Sequence, residues 1–226
     1  MNSPAVPRTT VIDAASIDAI LRRAPVLPVL AIDRLDDAVP LARALVEGGL
    51  PVLEVTLRTD AALAAIRRIV DEVPDAIVGA GTVLTAADLD AVAAAGAAFA
   101  ISPGATDALY IAARDVSIPW IPAIATASEL MRGIEHGHRR FKFFPAEAAG
   151  GVAALKSFAG PFPQAMFCPT GGIDAGSAPR YRALSNVVTV GGSWMVPKDA
   201  LQSRDWDRIR ALALQAAPTK EGRKRV

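Results

Sequence analysis

Short apolar runs alternate along the chain with longer Ala-rich stretches whose apolar residues recur every three to four positions. The short runs have the length and branching of buried strands, and the longer ones the spacing of helices packed by one face. Strands are expected to begin near Val26-Leu-Pro-Val-Leu-Ala, Val52-Leu-Glu-Val-Thr-Leu, Ala76-Ile-Val-Gly-Ala, Phe99-Ala-Ile, Pro119-Trp-Ile-Pro, Phe141-Lys-Phe-Phe, Met166-Phe-Cys-Pro and Val187-Val-Thr-Val. A short helix from about Ile12 to Arg23 precedes them, and a helix follows each. Thr85-Ala-Ala-Asp and Thr126-Ala-Ser-Glu each place a capping hydroxyl three residues ahead of an acid, a helix-start signal. Gly48-Gly49, Gly96 and Gly137 mark helix ends.

Eight βα repeats fit either a closed barrel or an open doubly wound sheet. The first strand–helix turn, Ala31-Ile-Asp-Arg, lacks a glycine-rich dinucleotide fingerprint, so the expected fold is one α/β (β/α)8 TIM barrel with an extra N-terminal helix. The 226 residues suit one domain over 1–217, followed by a basic tail, 218–226, expected to be disordered.

Within Leu53-Glu-Val-Thr-Leu-Arg58, alternation puts Glu54, Thr56 and Arg58 on one face and Leu53, Val55 and Leu57 on the other. The apolar set should meet helices and the polar set should turn inward. Phe141-Lys-Phe-Phe-Pro145 repeats the pattern and points Lys142 and Phe144 inward. Burial disfavours an ammonium, which makes a buried lysine amine able to attack a carbonyl, and Glu54 is the acid placed to shuttle protons for it. The spacing equally allows a buried Glu54–Lys142 ion pair, or a Lys142 that snorkels to the rim.

Thr170-Gly-Gly-Ile173 and Val190-Gly-Gly-Ser193 follow the last two strands, where barrels offer backbone N–H groups to phosphate; each also reads as a plain tight turn. Gly79-Ala-Gly-Thr82 and Ile101-Ser-Pro-Gly104 place small residues where a substrate would approach backbone, with the Thr82 hydroxyl available to a carboxylate or keto oxygen. His136 and His138 read as exposed and not metal-binding, Cys168 as a small core residue, and Trp120, Trp194 and Trp206 as packing residues.

The 24 basic and 23 acidic residues leave a net charge of +1, which argues against a general nucleic-acid surface. No apolar run reaches the roughly 20 residues that span a bilayer, and Met1 to Thr10 has no apolar signal core, so no membrane partner and a cytoplasmic location are expected. A lone cysteine makes no intramolecular disulfide and no thiolate cluster for metal.

Taken in order, Leu53-Glu-Val-Thr-Leu-Arg58, Gly79-Ala-Gly-Thr82, Ile101-Ser-Pro-Gly104, Phe141-Lys-Phe-Phe-Pro-Ala-Glu147, Cys168-Pro-Thr-Gly-Gly-Ile173 and Gly191-Gly-Ser-Trp194 resemble the KDPG/KHG aldolase family from about Val26 to Ile209. The resemblance implies a cofactor-free class I aldolase, usually a homotrimer. Its substrate would be 2-dehydro-3-deoxy-6-phosphogluconate, cleaved to pyruvate and glyceraldehyde 3-phosphate; 4-hydroxy-2-oxoglutarate is a second substrate of many members. It implies Lys142 as the Schiff-base lysine, Glu54 as general acid/base, Arg58 and Thr82 as carboxylate ligands, and Pro103 and Phe144 packed on the pyruvyl group. Thr170, Gly171, Gly172, Gly191, Gly192 and Ser193 would hold the distal phosphate. Ala123 stands where glycine is common, and Asp174-Ala-Gly-Ser-Ala-Pro179 departs from the usual segment, which leaves substrate preference open. An aldolase for the phosphogalactonate epimer, or a phosphosugar isomerase or epimerase on the same barrel, are the alternatives.

Overall fold

The computed structural model describes residues 14–23 and 26–217; the expected start of the first helix at Ile12 and the basic tail lie outside the described residues. Parallel strands β1 (Val26–Leu30), β2 (Val52–Thr56), β3 (Ile77–Gly81), β4 (Phe99–Ile101), β5 (Trp120–Ile121), β6 (Ala123–Ile124), β7 (Arg140–Phe143), β8 (Met166–Pro169) and β9 (Val190–Gly192) alternate with helices. The helices are α1 (Ala14–Leu21), α2 (Ala38–Glu47), α3 (Ala62–Glu72), α4 (Ala86–Ala94), α5 (Asp107–Ala112), α6 (Ala127–Glu135), α7 (Gly151–Ala159), α8 (Ala178–Arg182), α9 (Lys198–Ser203) and α10 (Trp206–Ala216).

The strands do not form the expected closed eight-stranded barrel. They make a six-stranded half-barrel sheet, ordered β5-β4-β3-β2-β1-β9, and a separate three-stranded sheet, β6-β7-β8. The break falls at Pro122. Trp120 and Ile121 pair back to Ala100 and Ile101, whereas Ala123 and Ile124 pair forward to Lys142 and Phe143. Proline has no N–H to give a ladder, so the expected fifth strand divides into two of two residues each. At the other seam, β8 meets the β9 segment only through isolated bridges, Phe167 with Val187 and Thr170 with Gly191. The last expected strand, read from Val187, is regular only over Val190–Gly192.

Packing follows the period-2 pattern where strands are regular. Leu53 and Val55 of β2 are fully buried in one continuous apolar core with Leu41 and Leu45 of α2 and Ile66 and Ile69 of α3. Both capping boxes form: Thr85 Oγ1 accepts from Asp88 N at 3.1 Å, and Thr126 Oγ1 from Glu129 N at 3.3 Å. Gly96 and Gly137 close their helices with φ of +84° and +90°, which only glycine adopts without strain. The ion pair of Arg140 on β7 with Asp18 ties α1 to the sheet across 122 positions of sequence.

Candidate active site

Glu54, at the centre of β2, and Lys142, in β7, come from different sheets and meet: Lys142 Nζ donates to Glu54 Oε1 at 2.9 Å, with side chains 6% and 0% exposed. Space for the carboxyl group comes from β3. Gly79 is the register partner of Glu54, and a Cβ on Gly81 would overlap Glu54 Oε1 and Cγ. A Cβ on Gly79 would overlap the Phe99 ring. Both glycines thus make room for protein groups, a different role from the substrate approach read in sequence. Lys142 lies 5.3 Å from the centre of the Phe144 ring, and its register neighbours are Ala123 and Cys168.

Among the described residues, Glu54 Oε2 is the buried side-chain polar atom that makes no hydrogen bond. Burying a carboxylate oxygen unpaired costs about 1–3 kcal/mol or more, a cost tolerated where the atom has work to do. Its free lone pairs can accept a proton from a substrate or a water. Cys168 joins neither charge: burial, then the Glu54 carboxylate, pushes its thiol up to about 12, so it stays protonated and non-nucleophilic.

Arg58 lies two residues beyond the last residue of β2, so strand alternation does not govern it, and its side chain is exposed. Its Nε donates to Thr56 Oγ1 at 3.0 Å, and that hydroxyl donates to Leu30 O at 2.8 Å. With Ser193, Asp33 and Lys198 it lines a cleft of about 510 Å³, whose walls do not include Lys142 or Glu54. Thr82, just past β3, holds φ +60°, an outlier for a β-branched residue that costs on the order of 1–3 kcal/mol. Pro103 and Phe144 are half-buried; Ser102, beside Pro103, is fixed by a 2.6 Å bond from Trp120 Nε1.

The two Gly-Gly segments come together but differ. Gly171 and Gly172 form a tight turn with φ of +103° and +78°, whereas Gly191 and Gly192 are the end of β9, with ordinary φ. Glycine is needed there because a Cβ on Gly191 would overlap the Thr170 hydroxyl and one on Gly192 the Trp194 ring. Among the described residues, no acceptor takes the N–H groups of Gly171, Gly172 or Ser193, so these groups are available to an anion. The turn is coupled to the Lys142 strand, since Thr170 N donates to Phe143 O and Ala146 N to Thr170 O, at 2.9 and 2.8 Å.

The family model described as KDPG and KHG aldolase matches residues 17–212. The chain belongs to that family. The 2-dehydro-3-deoxy-phosphogluconate aldolase of Dickeya dadantii is 59% identical over 201 residues, which cover 89% of this chain and 94% of that protein. The KHG/KDPG aldolase of Escherichia coli is 57% identical with the same coverage. Among solved structures, KDPG aldolase from Legionella pneumophila, with pyruvate captured at low pH as a covalent carbinolamine intermediate, superposes with a TM-score of 0.87 at 49% identity, covering 89% of this chain and 98% of that one. The isomerase and phosphogalactonate alternatives are not favoured by these relatives. The half-barrel and its small companion sheet are therefore the α/β fold of this aldolase.

Sequence reasoning misread both histidines of this aldolase as exposed, where His136 is half-buried and His138 buried, and missed two pairs. His138 is buried, 3% exposed, against the rings of Tyr110 and Trp120, which also touch each other, and His136 stacks on Tyr110 at 4.2 Å. Burial, then the His136 and Arg139 charges, lowers His138 to about 4, so it is neutral. The Trp120–Ser102 bond and the hydrogen bond from Tyr181 to Glu147 had no readable signal, because each joins elements through side chains whose partners only folding selects. The described residues contain no group of three or more His, Cys, Asp or Glu that could hold a metal, and no helix long and apolar enough to cross a membrane.

Proposed function

We propose that this chain is a class I aldolase that cleaves 2-dehydro-3-deoxy-6-phosphogluconate to pyruvate and glyceraldehyde 3-phosphate, with Lys142 as nucleophile and Glu54 as general acid/base. The observation that carries the reading is the buried 2.9 Å contact from Lys142 Nζ to Glu54 Oε1. Glu54 takes a proton from the ammonium, the freed amine adds to the C2 carbonyl, and Glu54 returns the proton to the C2 hydroxyl as it leaves as water, which turns the carbinolamine into an iminium and leaves Glu54 ionised again. Glu54 then accepts the C4 hydroxyl proton as the C3–C4 bond breaks and the aldehyde leaves. The enamine takes a proton at C3, and water releases pyruvate from Lys142.

Arg58 and Thr82 hold the pyruvyl carboxylate in this reading, and Pro103 and Phe144 flank the pyruvyl group. The distal phosphate sits on Thr170, Gly171, Gly172, Gly191, Gly192 and Ser193, supported by the unbonded N–H groups of that end. The same centre takes 4-hydroxy-2-oxoglutarate, which lacks the phosphate, in line with the double name of the Escherichia coli relative. We assign the work to a cytoplasmic homotrimer whose single domain spans 1–217. The exposed Ile111 and Met131 of α5 and α6, 58% and 55% accessible, support a subunit contact.

The test is reduction with borohydride in the presence of pyruvate, followed by peptide mapping. A stable adduct on Lys142, missing from Lys142→Ala, is expected; an adduct elsewhere, or none where a known class I pyruvate aldolase reacts, overturns the assignment.

A further inference from the structure

The segment that follows the lysine strand and the turn that carries the unbonded N–H groups are held against each other by more than backbone. Glu147 N donates to Gly171 O at 3.1 Å, and Glu147 Oε1 accepts from the hydroxyl of Tyr181, on α8, at 2.6 Å. Tyr181 is fully buried. Glycine at two positions lets this contact form. A Cβ on Gly172 would sit 2.9 Å from Glu147 Cβ and Cγ, and one on Gly151 3.1 Å from the Tyr181 hydroxyl. On the far side of the turn, Ser177 N donates to Asp174 Oδ1 at 2.7 Å and Asp174 N to Ser177 Oγ at 2.9 Å, fixing the start of α8. The chain therefore makes a closed circuit: the turn, the Asp174–Ser177 box, α8 and Tyr181, then across to Glu147 and back to the turn.

We propose that the Glu147–Tyr181 hydrogen bond is a positioning clamp that sets the orientation of the Gly171–Gly172 N–H groups, and so the enzyme's preference for substrates ending in phosphate. Neither residue touches the reacting atoms. The inference rests on the proposed aldolase reading, and goes beyond it in naming what holds the anion end in shape. An anion nest binds through the direction of its N–H vectors, so a turn free to rock loses affinity for phosphate while a distant lysine keeps its chemistry. A glutamine at 147 still offers an oxygen to the tyrosine, whereas an alanine does not.

The experiment compares the wild type with Tyr181→Phe, Glu147→Ala and Glu147→Gln on three measurements. These are KM and kcat for the phosphorylated sugar acid, inhibition by inorganic phosphate, and the pyruvate concentration giving half-maximal borohydride adduct on Lys142. Tyr181→Phe and Glu147→Ala are expected to raise KM and weaken phosphate inhibition about tenfold, the worth of one lost hydrogen bond to a charged group, with kcat and the pyruvate dependence unchanged. Glu147→Gln should stay near the wild type. Equal loss in the phosphate and pyruvate measurements, or no change in phosphate affinity in a variant that folds, overturns the clamp. Absence of the adduct in the wild type would instead overturn the aldolase reading itself, so the two failures are told apart.

Discussion

Two residues from different sheets, Lys142 and Glu54, share one buried hydrogen bond, and each depends on what surrounds it. Lys142 and Glu54 are both almost wholly buried, so replacing either one strands the other. Glu54→Gln retains the shape and a hydrogen-bond acceptor for Lys142 but cannot take up a proton. The expected result is a fall in kcat on the order of 10²–10⁴-fold with a smaller change in KM, measured by coupled assay of pyruvate release. Gly81 is as constrained as Glu54 and Lys142 themselves, because its missing side chain is the space the Glu54 carboxyl occupies. Gly81→Ala should displace Glu54, lowering kcat while costing about 1–3 kcal/mol of stability, read together from kinetics and a urea melt. Loss of stability with intact kcat would count against this role for Gly81.

Elements were read from period and punctuation, and the capping boxes at Thr85 and Thr126 show that reading at its best, because a helix start is a local event between residues three apart. The end of α6 shows its limit. The sequence placed His138 outside, yet it is packed among Tyr110 and Trp120 from two other elements. A histidine held neutral in the fold at about 4, against an ordinary value of 6.5, binds its proton more readily when unfolded. Its contribution is fully present above pH 6.5 and is lost as pH falls towards 4. The shift corresponds to about 3 kcal/mol, so the melting temperature should drop between pH 7 and pH 4.5. His138→Leu should flatten that slope, and thermal melts across the range would check it; an unchanged slope would remove His138 as its cause.

The whole molecule is where expectation and structure part most clearly. A closed ring needs every strand to pair on both edges, and Pro122 cannot donate, so one expected strand serves two sheets with two halves. The exposed Ile111 and Met131 mark the face on which the proposed trimer would assemble. Light scattering should return about three times the 23.5 kDa chain mass, and Met131→Glu should shift it toward the single chain; a wild type that stays at one chain mass would end the trimer proposal.

Strand and helix order, the inward direction of Glu54 and Lys142 and the glycine pairs near the ends of the last two strands were legible in the residues alone, because each rests on a short-range period or a local motif. Tertiary structure alone decided that Glu54 and Lys142, 88 positions apart, lie within hydrogen-bond distance. It also decided that Gly79 and Gly81 house protein groups, that Arg58 escapes the strand's alternation, that Tyr181 reaches Glu147, and that the sheet divides at Pro122. Each of these depends on which distant side chains and backbone edges fill a given space, and a period along one chain carries no record of that.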